Sequence, residues 1–223
     1  MRTGTEEYYR GRALEYDRVY DKPERKADLR ELVPWVSSQL AGRRVLEVAA
    51  GTGWWTGSYA DGAAEVTATD FNAATLDVAK ARRQWPASVR FLEADAFDLE
   101  SVSGRFDAAF VGFFWSHVPL TQLDGFLDRL AERLGLRARV VIIDNRYVEG
   151  SNQPVVRTDF SGDTYQNRRL EDGTTWEVLK NFPTPAEVRT RLARVGEEDV
   201  EVNELDYYWS ATFRVTRRRD LAR

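Results

Sequence analysis

Small and acidic residues follow several apolar segments in the first half of the chain. The segment Val45–Gly53 (VLEVAAGTG) passes from apolar residues into a turn of small residues. Small residues let the backbone approach a ligand closely, and a strand ending in such a turn suits a nucleotide-like ligand. Taken alone the signal is weak, because an ordinary tight turn between a strand and a helix has the same composition.

The ends of the next three apolar segments add polar and aromatic groups. Asp70 follows the glycine turn by about 20 residues, where a carboxylate can accept both hydroxyls of an adenosine ribose. Asp95 ends the third segment, at a position suited to the adenine amino group. The fourth segment ends in Phe113, Phe114 and Trp115, which offer an aromatic wall. Chance rarely produces this order, so the sequence predicts an adenosine-binding edge.

Alternating strands and helices are predicted to position these residues. Strands are expected at 44–48, 65–69, 89–93, 106–111 and 139–143, and helices at 54–60, 73–84 and 120–134. This alternation predicts a parallel sheet with helices on both faces. Two helical stretches, 5–20 and 24–40, precede it.

The rhythm changes after residue 145. The segments 165–170 and 175–180 flank Asp172-Gly173, which predicts a β-hairpin. A helix at 185–195 and strands at 200–205 and 209–216 follow. Residues 147–163 show no periodicity, so we expect a long loop there, of the kind that often serves as a lid or a binding loop.

Composition excludes several chemistries. The chain has no cysteine and one histidine, His117, which rules out thiolate catalysis and a multi-histidine metal site, so no metal is expected. The net charge of −4 gives no general attraction to nucleic acid. We interpret the basic tail Arg217–Arg219 as a solvated chain end. Without an apolar leader or a membrane-length apolar run, the protein is expected to be soluble and cytoplasmic.

Over roughly residues 40–145, and in outline over the whole chain, the sequence resembles the class I S-adenosylmethionine-dependent methyltransferases. Their first motif reads acidic-x-Gly-x-Gly-x-Gly. Here Glu47 leads, Ala49 replaces the first glycine, and Gly51 and Gly53 keep the others. The later Ser-His-Val-Pro segment and the hairpin look like a bacterial branch of this family.

The resemblance implies a set of cofactor contacts. Glu47 and the backbone of Ala49, Gly51, Thr52 and Gly53 would meet the methionine part of S-adenosylmethionine. Asp70 would hold the ribose, with Phe71 beside the adenine. Asp95 and Ala96 would frame the adenine edge, and Phe113 would add to the wall. The N-terminal Tyr8, Tyr9 and Tyr16 resemble the lid over the methionine end, although a packed amphipathic helix explains them equally well.

Two other nucleotide-binding classes do not fit the glycine turn. Dinucleotide-dependent dehydrogenases space their glycines as Gly-x-Gly-x-x-Gly, whereas Trp54 and Trp55 follow Gly53 here. The loop also lacks the Gly-x-x-x-x-Gly-Lys pattern of phosphate-binding loops.

The acceptor side offers one candidate base. His117 follows the fourth strand, where this family often places acceptor-facing residues, and imidazole titrates near neutrality. Its alternative role is to hold a helix start through the backbone. Asp144, Asn145 and Arg146 end the fifth strand, and Arg146 is expected to pair with Asp144 or with an acceptor anion. No Asn-Pro-Pro-Tyr segment follows the fourth strand, which argues against DNA adenine methylation.

The sequence therefore predicts a Rossmann-like three-layer sandwich. Its mostly parallel seven-stranded sheet would carry an antiparallel C-terminal strand, an inserted β-hairpin and an N-terminal helical lid. We expect one domain over 1–223, with the lid at 1–40, the cofactor-binding core at 41–146 and acceptor-side elements at 147–223.

The predicted activity is methyl transfer from S-adenosylmethionine to an oxygen or nitrogen of a small molecule, with S-adenosylhomocysteine as product. The alternatives are a non-catalytic S-adenosylmethionine sensor and a methyltransferase acting on protein or tRNA. A monomer or homodimer, without a nucleic acid or membrane partner, is expected.

Overall fold

The computed structural model describes Tyr8, residues 16–196 and residues 200–216, and two β-sheets organise them. The strands, in chain order, are β1 Arg44–Val48, β2 Glu65–Asp70, β3 Val89–Glu93, β4 Phe106–Gly112, β5 Leu134–Asn145, β6 Val155–Thr158, β7 Thr164–Arg169, β8 Thr175–Leu179, β9 Glu201–Glu204 and β10 Tyr208–Arg214. Seven of them form the main sheet in the order β3-β2-β1-β4-β5-β10-β9, and the other three form a small sheet in the order β6-β7-β8.

The main sheet has the predicted mixture of directions. Strands β1 to β5 pair in parallel, so their carboxyl ends meet along one edge. Strand β10 runs antiparallel to both β5 and β9. Strand β4 and the second half of β5 read as nearly continuous apolar runs because both faces of the sheet are covered there.

Helices cover both faces of this sheet. They are α1 Lys26–Leu40, α2 Thr56–Tyr59, α3 Ala73–Ala81, α4 Leu123–Glu132 and α5 Pro185–Leu192, with 3₁₀ helices at Tyr16–Tyr20, Pro23–Arg25 and Trp115–His117. On one face α1 buries Leu32, Val36 and Leu40 at helical spacing. On the other face α4 and α5 bury Leu127 and Leu192 in a second core. The three-layer sandwich is therefore confirmed.

The small sheet corrects the prediction of an unstructured stretch. The hairpin of β7 and β8 is present, with Gly173 at a φ of +87° in its turn. The prediction of a loop at 147–163 is wrong for Val155–Thr158, because these residues form β6 and pair with β7. All four residues of β6 are exposed, so pairing rather than burial holds this strand, and no apolar alternation marks it in the sequence.

Several predicted boundaries also move. Strand β5 begins at Leu134, five residues before the predicted start, because it already pairs with Phe106 ahead of a bulge. Helix α2 is only Thr56–Tyr59, shorter than predicted. Among the residues described, every helix is too short or too polar to cross a membrane.

Candidate active site

The glycine turn after β1 adopts a conformation that few residues tolerate. Ala49, Gly51 and Gly53 have φ values of +56°, +57° and +71°. A side chain at Gly53 would place its Cβ 3.1 Å from the Cβ of Ala79 in α3, so glycine also permits close packing there. Ala49 holds the left-handed conformation without being a glycine, which costs about 1–2 kcal/mol. The turn is thus built so that its backbone curves tightly at the end of β1.

Asp70 fixes this turn to the end of β2. One carboxylate oxygen accepts from the Gly51 N–H and the other from the Asn72 N–H, both at 2.9 Å. The side chain is buried, and burial raises the pKa of Asp70 against the lowering effect of these two hydrogen bonds. Each oxygen keeps a further lone pair, so Asp70 can still accept hydroxyl groups from a ligand.

The predicted adenine-side residues lie on the same edge of the sheet. Asp70 pairs with Glu93 across β2 and β3, and the Ala94 N–H donates to the Asp70 carbonyl at 3.0 Å. Asp95 is exposed and accepts from the Phe97 N–H at 2.8 Å, while Ala96 is buried. Phe71 is a partly exposed aromatic ring beside them. The structure thus brings these predicted residues to one rim, with Asp95 also stabilising its own loop.

Glu47 lies beneath the glycine turn. Its carboxylate is 1% exposed and accepts from the hydroxyls of Thr56 and Tyr59 at 2.7 and 2.6 Å. Burial raises the pKa of Glu47 to about 7, although both hydroxyl hydrogen bonds lower it. Glu47 therefore ties β1 to α2 and supports the turn from below.

The N-terminal segment lies against the glycine turn, where the lid was predicted. Asp17 accepts from the Thr52 hydroxyl at 2.5 Å and also pairs with Arg82. Tyr20 stacks on Trp54 with ring centroids 4.1 Å apart. Tyr8 is buried and lines the cavity described next. The predicted lid residue Tyr9, the side chain of Tyr16 and the basic tail Arg217–Arg219 lie outside the described part of the chain.

A cavity of about 270 Å³ opens beyond the carboxyl ends of β4 and β5. Its walls come from the N-terminal segment, the two strand ends and the small sheet. The lining residues are the mainly apolar Tyr8, Val19, Tyr20, Phe113 and Tyr208, the polar His117, Asn145, Ser151, Asn152 and Gln153, and the cationic Lys22, Arg25, Arg168, Arg169 and Lys180. The size suits a small organic molecule.

Two residues predicted from the fourth strand, Phe113 and His117, reach this cavity. Phe113 has a φ of +59°, an uncommon value for an aromatic residue that is often found at functional sites. The His117 Nδ1 atom lies 2.7 Å from the Leu179 carbonyl oxygen, which can only accept, so Nδ1 carries the proton. The Nε2 atom then has a lone pair and lies 3.5 Å from the Lys180 Nζ. His117 therefore has the tautomer that a proton acceptor needs.

Sequence reasoning missed a buried polar cluster behind His117. The Lys180 ammonium donates to the Ser116 hydroxyl at 2.5 Å and lies 3.3 Å from the Asp144 carboxylate. Ser116 donates to Asp144 from both its N–H and its hydroxyl, at 2.8 and 2.9 Å. Burial lowers the pKa of Lys180 to about 8, although Asp144 raises it. The one sequence signal was a Lys-Asn pair after an apolar strand end, a pattern that any strand end can show.

Arg146 does not pair with Asp144, which corrects that prediction. The Arg146 Nε atom lies 2.9 Å from Glu204, and the guanidinium also donates to the Leu205 carbonyl. Asp144 is already surrounded by Ser116 and Lys180. Consecutive side chains on a strand point to opposite faces, so Asp144 and Arg146 share a face. The Asp144 carboxylate nevertheless binds Ser116 and Lys180 in place of Arg146.

Arg25 is a second cavity residue that the sequence did not suggest. It is 5% exposed and donates to the Ser151 hydroxyl at 3.0 Å and to the Asn145 amide oxygen at 2.8 Å. Its guanidinium also lies over the Tyr208 ring, 5.5 Å from the centroid. Only the folded chain brings Arg25 to the end of β5.

Comparison with known sequences finds methyltransferases. A family model described as "Methyltransferase domain" matches residues 45–145. A demethylmenaquinone methyltransferase of Clavibacter sepedonicus is 35% identical over 105 residues, which are 47% of this chain and 42% of that protein. The same named enzyme of Renibacterium salmoninarum is 39% identical over 84 residues, 38% of this chain and 34% of the relative. The match therefore spans less than half the length of these curated relatives.

Comparison with solved structures covers nearly the whole chain. The complex of DhpI with SAH superposes with a TM-score of 0.76 and 27% identity, over 95% of each chain. The complex of DhpI with SAM and HEP gives a TM-score of 0.74 at 27% identity, over 92% of this chain and 94% of that one. The N-methyltransferase NodS of Bradyrhizobium japonicum WM9 in complex with SAH has a TM-score of 0.66 and 16% identity, over 95% and 98% of the two chains, and shares the fold.

Proposed function

We propose that this chain is a class I S-adenosylmethionine-dependent methyltransferase and that it transfers a methyl group to an oxygen or nitrogen atom of a small-molecule acceptor. The observation that carries the proposal is the position of the cavity. It lies at the same sheet edge as the Asp70-anchored glycine turn, and His117, whose Nε2 carries no proton, is one of its lining residues. A methyl donor and a proton acceptor would thus meet at one place.

The residues present suit S-adenosylmethionine. The left-handed turn from Ala49 to Gly53 offers its backbone to the methionine part. Asp70 retains lone pairs for the ribose hydroxyls, and Phe71, Asp95 and Ala96 form the rim assigned to adenine. The donor supplies an activated sulfonium methyl group and leaves as S-adenosylhomocysteine.

The work left to the protein is positioning, exclusion of water and removal of one proton. Tyr8, Tyr20 and Phe113 give the cavity an apolar side that excludes water, and positioning of this kind supplies much of the rate in transfer reactions. An acceptor hydroxyl or amine must lose its proton as the new bond forms, and His117 Nε2 is placed to receive it.

A small acceptor is favoured over a macromolecule. A cavity of about 270 Å³ encloses a small molecule, whereas a protein or tRNA needs an open surface. The names of the sequence relatives agree, because demethylmenaquinone is a small molecule. We further propose that residues 1–223 act as one domain in the cytoplasm, as a monomer or homodimer, and without nucleic acid.

A turnover assay tests the proposal against a cofactor sensor. Purified protein is mixed with S-adenosylmethionine and a panel of small hydroxyl, carboxyl and amine compounds, and S-adenosylhomocysteine release is measured. We expect acceptor-dependent release, and mass spectrometry of the product then identifies the methylated atom. Tight binding of S-adenosylmethionine with no release for any panel member would favour the sensing module.

A further inference from the structure

The cavity is lined by many cationic residues although the protein as a whole is acidic. The chain carries a net charge of −4, yet five of the fifteen lining residues are Lys or Arg. Among the described residues that line the cavity, none is Asp or Glu. Positive charge is thus concentrated at a concave site with partly apolar walls, where an electrostatic field is strongest.

Two of these cations, Arg25 and Arg168, have no carboxylate as a hydrogen-bond partner among the described residues. Arg25 donates only to neutral oxygens, those of Ser151 and Asn145. Arg168 donates to the Gln166 amide oxygen at 2.7 Å, and its buried Nε has no hydrogen-bond partner in the described structure. Outside the cavity, by contrast, Arg157 and Arg191 each have a carboxylate within 2.7 Å.

Lys180 and Lys22 differ, because Asp144 lies 3.3 Å from the Lys180 ammonium group and Glu24 lies 4.0 Å from that of Lys22. Asp144 is fully buried and does not line the cavity, and its oxygens already accept from Ser116 and Asn145. The charges of Arg168 and Arg25 both act against the Lys180 cation. Two carboxylates, Asp144 beside Lys180 and the exposed Glu24 near Arg25, therefore offset three mutually repelling cations only in part, a state that a bound anion would relieve.

We propose that the acceptor carries an anionic group, of phosphate or carboxylate type, which binds between Arg25, Arg168 and Lys180. This inference rests on the proposed function and specifies its substrate class. Guanidinium groups offer two parallel N–H donors that match the oxygens of either anion, and a buried ammonium adds a point charge. A neutral analogue of the acceptor would leave the excess positive charge of these three residues uncompensated, so the cavity selects for charge.

Anion binding measured apart from catalysis tests this inference. The protein is first saturated with S-adenosylhomocysteine, and inorganic phosphate, sulfate or acetate is then titrated at constant ionic strength against sodium chloride. We expect saturable binding at millimolar concentration or tighter. Tighter binding of phosphate and sulfate than of acetate would assign a tetrahedral anion, and the reverse order would assign a carboxylate.

Matched variants locate the site. Arg168→Gln should weaken anion binding at least about tenfold, since a charged hydrogen bond is worth about 1.5–3 kcal/mol, and should leave S-adenosylhomocysteine binding unchanged. Arg129→Gln, on the exposed side of α4, is the control and should change neither. Arg169→Gln is a second test should Arg168→Gln fold poorly, because Arg169 is exposed and lines the same cavity.

The outcomes separate this inference from the proposed function. No saturable anion binding, or equal binding by the wild type and Arg168→Gln, would overturn the anionic acceptor while S-adenosylhomocysteine binding keeps the methyltransferase proposal intact. Absence of S-adenosylhomocysteine binding in the wild type would instead remove the proposed function on which the inference rests.

The pH dependence of anion binding gives an independent check. Lys180 is faced by Asp144 from β5, Ser116 and His117 from the 3₁₀ helix, Arg168 from β7 and Arg25 from the N-terminal side. Its pKa of about 8 means that it loses its proton as the pH rises past that value. Sulfate keeps the same charge over this range, so its affinity should fall several-fold between pH 7 and pH 9. Affinity that is constant over this range would remove Lys180 from the site.

Discussion

Site residues that lie close to an end of a main-sheet strand could be predicted from the sequence, and three cations from other elements could not. Asp70 and His117 lie within a few residues of β2 and β4, so the strand pattern was enough to bring them to the correct edge. Arg25, Arg168 and Lys180 come from a helix start and a separate small sheet. No local pattern links such segments, and only tertiary packing brings the three cations together.

Asp70 should be needed for cofactor affinity. Asp70→Asn removes the negative charge and one accepting oxygen, and a charged acceptor is worth about 1.5–3 kcal/mol, so the S-adenosylhomocysteine Kd should rise at least about tenfold. Calorimetric titration measures this change. Asp77→Asn, an exposed carboxylate on α3, is the matched control. An unchanged Kd in Asp70→Asn would remove Asp70 from the ribose site.

His117 should matter for turnover and not for the cofactor. Asn at this position can still donate to the Leu179 carbonyl, yet it has no basic nitrogen. His117→Asn should therefore keep the S-adenosylhomocysteine Kd and lower kcat by about a hundredfold or more. An unaltered kcat would reduce His117 to a structural residue.

At the level of helices and strands, buried elements were easier to predict from the sequence than exposed ones. Strands β1, β2, β4 and most of β5 are buried because the sheet is covered on both faces. Their positions, like that of the half-buried edge strand β3, were predicted to within a few residues except for the early start of β5. Strand β6 was missed because its four side chains are exposed and its stability comes from pairing with β7. Sequence patterns report burial, and they do not report edge pairing.

The glycine turn gives a stability prediction for one element. Ala49 holds a left-handed conformation that favours glycine, so Ala49→Gly should raise the free energy of unfolding by about 1 kcal/mol. Gly53→Ala, in the same turn, should lower it by about 1–3 kcal/mol, because its Cβ meets Ala79 and its φ is +71°. Urea unfolding of the pair measures both changes. Equal stability of the two variants would show that the left-handed backbone at positions 49 and 53 does not favour glycine.

For the whole molecule, the free energy of unfolding should depend on pH through Glu47. Its pKa is raised from 4.5 to about 7 on folding, so the stabilisation is complete below pH 4.5 and is lost as the pH rises through 7. The free energy of unfolding of Glu47→Gln, relative to that of the wild type, should therefore rise by on the order of 2 kcal/mol from pH 5 to pH 8. Denaturant unfolding at both pH values measures the difference. A difference that does not change with pH would contradict a protonated Glu47.

The global organisation separates two tasks at one edge of a single sheet. Strands β1 to β3 carry the turn and the acidic rim assigned to the cofactor, whereas β4, β5 and the small sheet surround the cavity assigned to the acceptor. Ligands of open α/β sheets bind at carboxyl strand ends near the point where the strand order reverses, here between β1 and β4. The fold was therefore predictable from alternation and burial, while the character of the acceptor cavity was not.

Parallel calorimetric titrations with S-adenosylmethionine, S-adenosylhomocysteine and NAD test the cofactor assignment most directly. We predict micromolar binding of the first two, weakened in Asp70→Asn, and no detectable binding of NAD. Binding of NAD in their place would contradict the assignment of the glycine turn. Binding of none of the three would contradict the proposal that this sheet edge holds an adenosine cofactor.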